Sequence, residues 1–370
     1  MEIAPVTSGR DLERFIAFPY EHYRGHPLWV PQLRMDVRTL LTPGKNPFFQ
    51  HATAQYFLAR RDGRTVGRIA AIQNDLHNQI HEDRVGFYGF FESIDDQAVA
   101  NALWDAAAAW LRTRGGGFDT MRGPMSPSVN DECGLLVDGF DTPPTLMMPH
   151  NPPYYVALHE RYGFVKAKDL LAYEGSGDGP PERLVRIAKR VAERAGITLR
   201  SLNMKRFAQE VELVKALYNK AWEKNWGFVP LTEAEIDHLA KQLKPIVVPD
   251  LVVFAERAGE VVGFGVALPD LNVALKKNPS GRLFPGILKV LWYAGKTNRA
   301  RVLLLGVIPE YRGRGIDGLM YDWIWTHGVK RGYNWGEGGW ILEDNAPMNK
   351  AALALGFKVY KTYRVYDKAL

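Results

Sequence analysis

The segment "PEYRGRGID", residues 309–317, separates an apolar run from a run with helical spacing. The apolar run, residues 302–308, suits a buried strand, and residues 316–324 repeat large apolar side chains every three to four positions. A glycine-rich turn that leads from a strand into a helix exposes the unpaired first N–H groups of that helix, where the helix dipole adds positive charge. We therefore predict an anion site over residues 312–318. A tight, basic surface turn without a ligand is the alternative.

Two glycines and two arginines strengthen this interpretation. Gly313 and Gly315 let an anion approach the backbone without a Cβ in the way, and Arg312 and Arg314 can add charge-assisted hydrogen bonds to a pyrophosphate. No Gly-Lys-Ser/Thr sequence follows, which excludes a P-loop.

Two internal echoes indicate a duplication. "FLARRDGRTVG" at residues 57–67 matches "VFAERAGEVVG" at residues 253–263. "NPPYYVALHERYGF" at residues 151–164 matches "NAPMNKAALALGF" at residues 345–357. Because both pairs are separated by nearly the same number of residues, we expect a repeated α/β domain.

The linker between the repeats is predicted in the Gly- and Pro-rich stretch at residues 175–183. The predicted domains are residues 1–176 and 177–370. Each contains a β-hairpin, with turns at Asp62-Gly63 and Ala258-Gly259. Helices are predicted over four ranges: 95–114, 180–195, within 204–226, and 315–330.

Composition limits the class of protein. The 370-residue chain is 46% hydrophobic, carries a net charge of +6 and has one cysteine, Cys133, so neither a disulfide within the chain nor a cysteine-based zinc cluster is expected. The N-terminus has no signal-peptide pattern, and no apolar run reaches the length of a spanning helix. We predict a cytoplasmic protein without a metal. Its positive charge suits nucleotide phosphates, anionic lipid or nucleic acid, or serves solubility alone.

The string "LLLGVIPEYRGRGI", residues 303–316, resembles the acyl-coenzyme A motif of the GCN5-related N-acetyltransferase (GNAT) superfamily, Gln/Arg-x-x-Gly-x-Gly/Ala preceded by Val-x-Pro. The hairpins and the closing Asn…Gly-Phe segments also resemble that fold. The resemblance implies an α/β protein of two tandem GNAT-like domains, each with a mixed, mostly antiparallel sheet flanked by helices. It also implies acyl-coenzyme A as co-substrate.

The resemblance assigns roles to residues of the second half. Backbone amides of the loop would hold the pyrophosphate, the strand before it would bind the pantetheine, and two asparagines near the last helix would contact coenzyme A. These residues are Leu305, Val307, Arg312, Gly313, Arg314, Gly315, Ile316, Asp317, Gly318, Asn345 and Asn349.

Three departures from the superfamily pattern stand out. Asp317 replaces a small residue, and Ala352 stands where a tyrosine general acid is often found. The first half has "GFYGFFESIDDQ" at residues 86–97, with no arginine and with acids that oppose phosphate at the helix start. We therefore expect that only the second half binds coenzyme A.

The chemistry expected from the resemblance is direct attack of an amine on a thioester, since no Ser-His-Asp arrangement indicates a covalent acyl-enzyme. Glu337 and Glu343, with Asp344, are acid-base candidates, and Tyr360 and Tyr363 are candidates for protonating sulfur. The N–H of Val307 is the expected oxyanion donor. His150, Tyr154 and Tyr155 are candidates for an acceptor cleft; each of these groups also has a purely structural alternative.

An extra segment at residues 272–301 suggests the substrate class. Residues 271–309 contain no Asp or Glu, and their basic residues alternate with large apolar ones, which suits a membrane surface or an acyl chain. A helix packed on its own sheet is the alternative.

The whole chain also resembles the bacterial ceramide synthases, on "PLWVPQLRMD", "KNPFF", "GFYGFFE", "RGPMSPSVND" and "NPPYY". This implies fatty acyl transfer to the amine of a sphingoid base, with peripheral contact at the inner face of the membrane and no nucleic acid partner. Three alternatives remain: an acetyltransferase for a small amine, a non-catalytic acyl-coenzyme A-binding regulator, and a tRNA-dependent aminoacyl transferase.

Overall fold

The computed structural model describes residues 1–177, 179–223 and 225–370, which form two compact units. The first unit contains residues 1–170, 272–293 and 361–370, and the second contains residues 171–271 and 294–360. The predicted domains, residues 1–176 and 177–370, stay a prediction from the internal repeat. Asp178, within the predicted linker, lies outside the described residues.

Strands and helices alternate along the chain. The strands are β1 (Glu2–Pro5), β2 (Ala52–Arg61), β3 (Arg64–Asn74), β4 (Val85–Ser93), β5 (Thr120–Gly123), β6 (Met125–Ser126), β7 (Glu132–Cys133), β8 (Leu135–Asp138), β9 (Val165–Ser176), β10 (Ile197–Ser201), β11 (Val252–Arg257), β12 (Glu260–Pro269), β13 (Arg299–Val307), β14 (Trp335–Leu342) and β15 (Lys358–Ala369).

The helices are α1 (Gly9–His22), α2 (Arg34–Leu41), α3 (Asp75–His81), α4 (Gln97–Arg112), α5 (Tyr154–Tyr162), α6 (Glu182–Ala195), α7 (Phe207–Trp222), α8 (Glu233–Leu243), α9 (Asn272–Leu275), α10 (Gly286–Ala294), α11 (Ile316–Lys330) and α12 (Ala346–Ala354). Short 3₁₀ turns lie at Pro47–Gln50, Met204–Arg206, Pro249–Leu251 and Pro309–Tyr311.

The sheet of the first unit runs in the order β1, β2, β3, β4, β5 and the end of β15. Its pairs are antiparallel except for the parallel pair β4–β5. Helix α4 begins at Asp96, whose side chain accepts from the N–H groups of Ala98 and Val99, and it packs Leu103 and Trp104 into the core with no solvent exposure.

The sheet of the second unit contains β10, β11, β12, β13, β14 and the end of β9, in that order. The pairs β11–β12 and β12–β13 are antiparallel, and β13–β14 is parallel. Helix α11 packs Ile316, Met320 and Ile324 against this sheet. The predicted fold class, α/β with mixed sheets flanked by helices, is confirmed.

Both predicted hairpins are present. In the turns Asp62-Gly63 and Ala258-Gly259 all four residues have positive φ, between 50° and 85°. This is the pattern of the type I′ turn, whose twist matches the flanking strands. The two echoing segments therefore fold alike, β2–β3 in the first unit and β11–β12 in the second.

The predicted helices are also present, with ends that differ from the prediction by at most four residues. Helix α7 accounts for the range 204–226, of which Lys224 lies outside the described residues. Helix α8 was not predicted, although its capping box, Thr232 with Glu235, is visible in the sequence. Within the described ranges, no helix is both long and apolar enough to span a membrane.

In the first unit, the residues that follow β5 lie against β4 beyond the point at which β4 and β5 pair. Gly89 faces the carbonyl of Met125 so closely that a Cβ would overlap it, and Gly123 faces the carbonyl of Tyr88 in the same way. Ser126 Oγ accepts a hydrogen bond from the N–H of Phe90 at 2.9 Å. The edge of β4 is therefore occupied by the chain itself.

This close approach predicts the effect of adding one methyl group. Gly89→Ala should lower the free energy of unfolding by about 1–3 kcal/mol, because Met125 must move. Gly9→Ala is the control, since nothing in the described structure lies within 4 Å of its added Cβ. Urea unfolding followed by circular dichroism measures both, and equal midpoints for the two variants would contradict the packing.

Candidate active site

Strands β13 and β14 part within the second unit. Their parallel register runs from Arg299–Trp335 to Val302–Gly338, whereas β13 stays paired with β12 as far as Val307. The N–H of Ile308 donates to Val262 O at 3.0 Å, on the β12 side. Because N–H groups alternate between the edges of a strand, that of Val307 points to the opposite edge. This edge can pair with an extended, amide-bearing ligand.

The N-terminus of α11 lies just beyond that edge along the chain. Gly315 is its N-cap, with φ 74°, and Gly313 has φ 71°. The N–H of Leu319 donates to Gly315 O at 3.1 Å, so the N–H groups of residues 316–318 precede the first intrahelical bond. Gly313 is exposed, and its added Cβ would have no described neighbour within 4 Å. The turn fits a phosphate group.

The two arginines of the loop act on the protein itself. Arg312 donates from Nε to Val307 O at 3.1 Å and from Nη2 to Ala221 O at 2.8 Å. Arg314 donates from Nη2 to Glu310 O at 3.1 Å and lies over the ring of Tyr311. These contacts hold the turn in shape. They do not support the predicted role of either guanidinium group at a pyrophosphate.

Asp317 lies in the first turn of α11, as a partner of the helix dipole would. One turn later on the same helix is the buried Tyr321. Burial raises the pKa of Tyr321, and the negative charge of Asp317 raises it further. Asp317 is thus close enough to this buried residue to influence it electrostatically.

Both asparagines predicted to contact coenzyme A have partners within the second unit. Asn345 caps α12 by accepting from the N–H of Met348 at 3.3 Å. Asn349 accepts from the hydroxyl of Tyr173 at 2.9 Å and donates to the carbonyls of Leu342 and Glu343. Their contact with the co-substrate stays a prediction, and their observed role is structural.

Two of the four predicted catalytic residues meet. Glu337 is fully buried on β14, and the hydroxyl of Tyr360 donates to its Oε2. Glu343 follows the end of β14, and Tyr363 is buried in the first unit, so the catalytic roles of both stay predictions. Asp344 is exposed.

Arg301 completes the cluster and was not predicted there. Its Nε lies 3.1 Å from Glu337 Oε1, and its Nη2 donates to Gly339 O at 2.9 Å. Arg301 and Arg299 fall in the basic segment predicted to suit a membrane surface or an acyl chain, but the structure places both side chains in ion pairs with the protein itself. Arg301 is 4% exposed, and Arg299 pairs with the buried Asp270 and stacks on a tryptophan ring.

A second polar cluster, which sequence reasoning missed, lies in the first unit around Glu92. The hydroxyls of Tyr23 and Tyr155 each donate to Glu92 Oε2 at 2.7 Å, and His22 Nε2 lies 3.2 Å from the Tyr155 hydroxyl. Burial raises the pKa of Glu92 and lowers that of His22 to about 4. The signal was an acid at the end of an apolar strand, Glu92 in "GFYGFFES".

The residues predicted for an acceptor cleft lie around the same cluster. The hydroxyl of Tyr154 donates to Ser93 O at 2.8 Å, and the centre of the His150 ring lies 5.1 Å from that of His26, with the two rings tilted by 57°. Burial lowers the pKa of His150 to about 3, so the ring is neutral at physiological pH. Among the described residues, no group of three or more His, Cys, Asp or Glu is arranged to hold a metal ion.

Gly313, Gly315 and Gly318 also satisfy the Gly-x-Gly-x-x-Gly spacing of dinucleotide-binding turns. That class of site belongs to parallel, doubly wound sheets. Here the strand before the turn, β13, runs antiparallel to its neighbour β12. The sheet therefore excludes a dinucleotide fold.

Comparison with solved structures identifies the class of fold. A tandem GNAT protein from the clavulanic acid biosynthesis pathway aligns with 100% of this chain and 98% of its own, with a TM-score of 0.59 at 14% identity. The chain thus has the tandem GNAT fold. No family model matches the sequence.

Curated relatives identify the family. The bacterial ceramide synthase of Caulobacter vibrioides is 42% identical over 100% of this chain and 98% of its own length. Protein YghO of Escherichia coli is 37% identical over 97% of this chain and 93% of its own. The chain belongs to the same family as the bacterial ceramide synthase, and it is an N-acyltransferase.

The turn before α11 makes a direct prediction for coenzyme A binding. Gly313→Ala should weaken coenzyme A binding by about tenfold or more, because the added methyl group would obstruct the approach of a phosphate to the N–H groups at the start of α11. Gly332→Ala is the matched control: Gly332 follows the other end of α11, has φ 89°, and its Cβ would also meet no described neighbour within 4 Å. Titration calorimetry with coenzyme A measures both. Equal losses would mean that backbone strain alone is responsible.

Proposed function

We propose that this N-acyltransferase moves a fatty acyl group from acyl-coenzyme A to the amine of a sphingoid base, forming a ceramide-type amide. The observation that carries the proposal is the N-terminus of α11, whose first N–H groups precede the intrahelical bonds, next to the edge of β13 along which, among the described residues, pairing with β14 ends at Val302. The 42% identity to a bacterial ceramide synthase over the full chain supports the lipid acceptor.

In this proposal the loop before α11 binds the pyrophosphate through backbone N–H groups at residues 313–318. The N–H of Leu305, on the edge of β13, donates to an amide carbonyl of the pantetheine arm. Arg312 acts as a positioning residue, since it holds the carbonyls of Val307 and Ala221. The carrier supplies an activated thioester, and the protein supplies its orientation.

The proposed reaction proceeds without a covalent acyl-enzyme intermediate. The amine nitrogen attacks the thioester carbonyl, a C–N bond forms, the C–S bond breaks, and the sulfur leaves with a proton. The N–H of Val307 is the proposed donor to the developing oxyanion. Tyr360 is the proposed proton relay, because its hydroxyl is held by the buried Glu337 while its side chain is only half-buried.

Glu337 is proposed to act through Tyr360 and not at the substrate. It has no solvent exposure and is paired with Arg301. Removing its charge would leave that buried guanidinium without its carboxylate, and breaking a buried ion pair in this way typically costs about 3–5 kcal/mol. A Glu337 variant therefore tests stability first and catalysis second.

Product analysis tests the proposed reaction. The protein is incubated with acyl-coenzymes A of two to eighteen carbons and with amines including sphinganine, and products are identified by mass spectrometry. We expect the N-acyl sphingoid base from long-chain donors only. An acetyl product alone would contradict the lipid proposal in favour of a small-amine acetyltransferase.

Replacement of the two candidate tyrosines separates their roles. Tyr360→Phe should lower kcat by roughly 100-fold with little change in KM, since loss of a proton-transfer group typically costs about 10²–10⁴. Tyr363→Phe is the control, because that side chain is buried in the first unit. Steady-state kinetics with a free-thiol assay gives both values, and equal activity of the two variants would exclude Tyr360 as the relay.

A further inference from the structure

The segment 272–293 is firmly attached to the first unit. The N–H of Arg34 donates to Gly281 O at 2.8 Å, and Arg34 Nε donates to Ser280 O at 2.9 Å. Within the segment, buried Asn278 donates to Arg282 O at 2.8 Å. These bonds fix the start of α10, so the helix presents a defined face.

Helix α10 shows its apolar face to the outside. Gly286 and Val290 are buried on one side. On the other side are Phe284, just before the helix, and Leu288, Leu291 and Trp292, with exposures of 71%, 64%, 65% and 68%. Within α10, Leu288, Leu291 and Trp292 are three and four residues apart, which places them on one face of the helix. Soluble proteins rarely expose so many large apolar side chains together without a contact to make.

The charge around this face has one sign. Between residues 272 and 293 there is no Asp or Glu, and the basic residues Lys276, Lys277, Arg282 and Lys289 are all exposed. A protein partner or a second copy with mixed charge would not require this bias. An anionic lipid bilayer, whose apolar interior lies below a negatively charged headgroup layer, matches both the exposed apolar face and the basic residues around it.

We propose that Phe284, Leu288, Leu291 and Trp292 insert into the interface of an anionic lipid bilayer, with the four basic residues contacting lipid headgroups. Helix α10 has nine residues, too few to cross a bilayer, which needs about 20, so it lies in the interfacial plane. The lipid substrates of the proposed function, on which this inference rests, reside in the same layer.

Vesicle co-sedimentation without any substrate tests the surface. The full chain is mixed with vesicles of phosphatidylcholine alone or with 30% phosphatidylglycerol, the probe lipid, at about 0.1 M and 0.5 M salt. We expect binding to the anionic vesicles that is weaker at high salt. Leu288→Asp/Leu291→Asp should reduce the bound fraction at least tenfold, and Lys276→Glu/Lys277→Glu should reduce it on anionic vesicles.

Val165→Asp is the matched control, because Val165 is 64% exposed in the first unit but belongs to β9. It should bind vesicles like the parent. Circular dichroism checks the fold of each variant. Failure of the parent to bind, or equal binding by all variants, would overturn the proposal.

Two further measurements complete the test. A dimeric parent that becomes monomeric in the Leu288→Asp/Leu291→Asp variant, by light scattering, would assign this face to a second copy and overturn the proposal. Coenzyme A binding, measured by titration calorimetry without vesicles, should be unchanged in this variant. If the parent transfers acyl groups but does not bind vesicles, the proposed function is retained and only the proposed membrane-binding surface is contradicted.

Discussion

The ion pair of Arg301 and Glu337 governs the site of the second unit. It lies one register position before β13 and β14 separate, and Arg301 also donates to Gly339 O beyond that point. The guanidinium therefore links the two strands across the point at which their pairing ends. Because both charges are almost completely buried, the pair is costly to disrupt, and it fixes where the unpaired edge of β13 begins.

In the first unit, backbone groups beyond the corresponding parallel pair are contacted by the protein's own chain. Its strands β4 and β5 are also parallel, but Ser126 Oγ takes the N–H of Phe90, and Gly89 admits the carbonyl of Met125. The helix that follows, α4, begins at Asp96, where negative charge opposes a phosphate. One repeat thus fills the position that the other repeat leaves available to a ligand.

Local features were predictable from sequence because they depend on neighbouring residues. The hairpin turn at Asp62-Gly63 and the start of α11 at Gly315 follow from glycine conformation and hydrophobic spacing. The partner of Arg301 was not predictable, since it depends on a register between strands 36 residues apart in the chain. For the same reason sequence could not separate Tyr360 from Tyr363, or show that Arg312 holds a carbonyl of α7.

The membership of β15 in the first unit has a consequence for synthesis. Tyr366 pairs with Gly123 and Arg364 pairs with Leu135, so residues 361–370 complete a sheet of the first unit with strands that lie more than 200 residues earlier in the chain. During translation, the early strands of the first unit are synthesised long before residues 361–370. While the second repeat is being translated, the sheet of the first unit therefore has an exposed strand edge. Exposed edges can pair with strands of other chains. The sheet of the first unit is therefore completed only when the last ten residues of this chain have been synthesised.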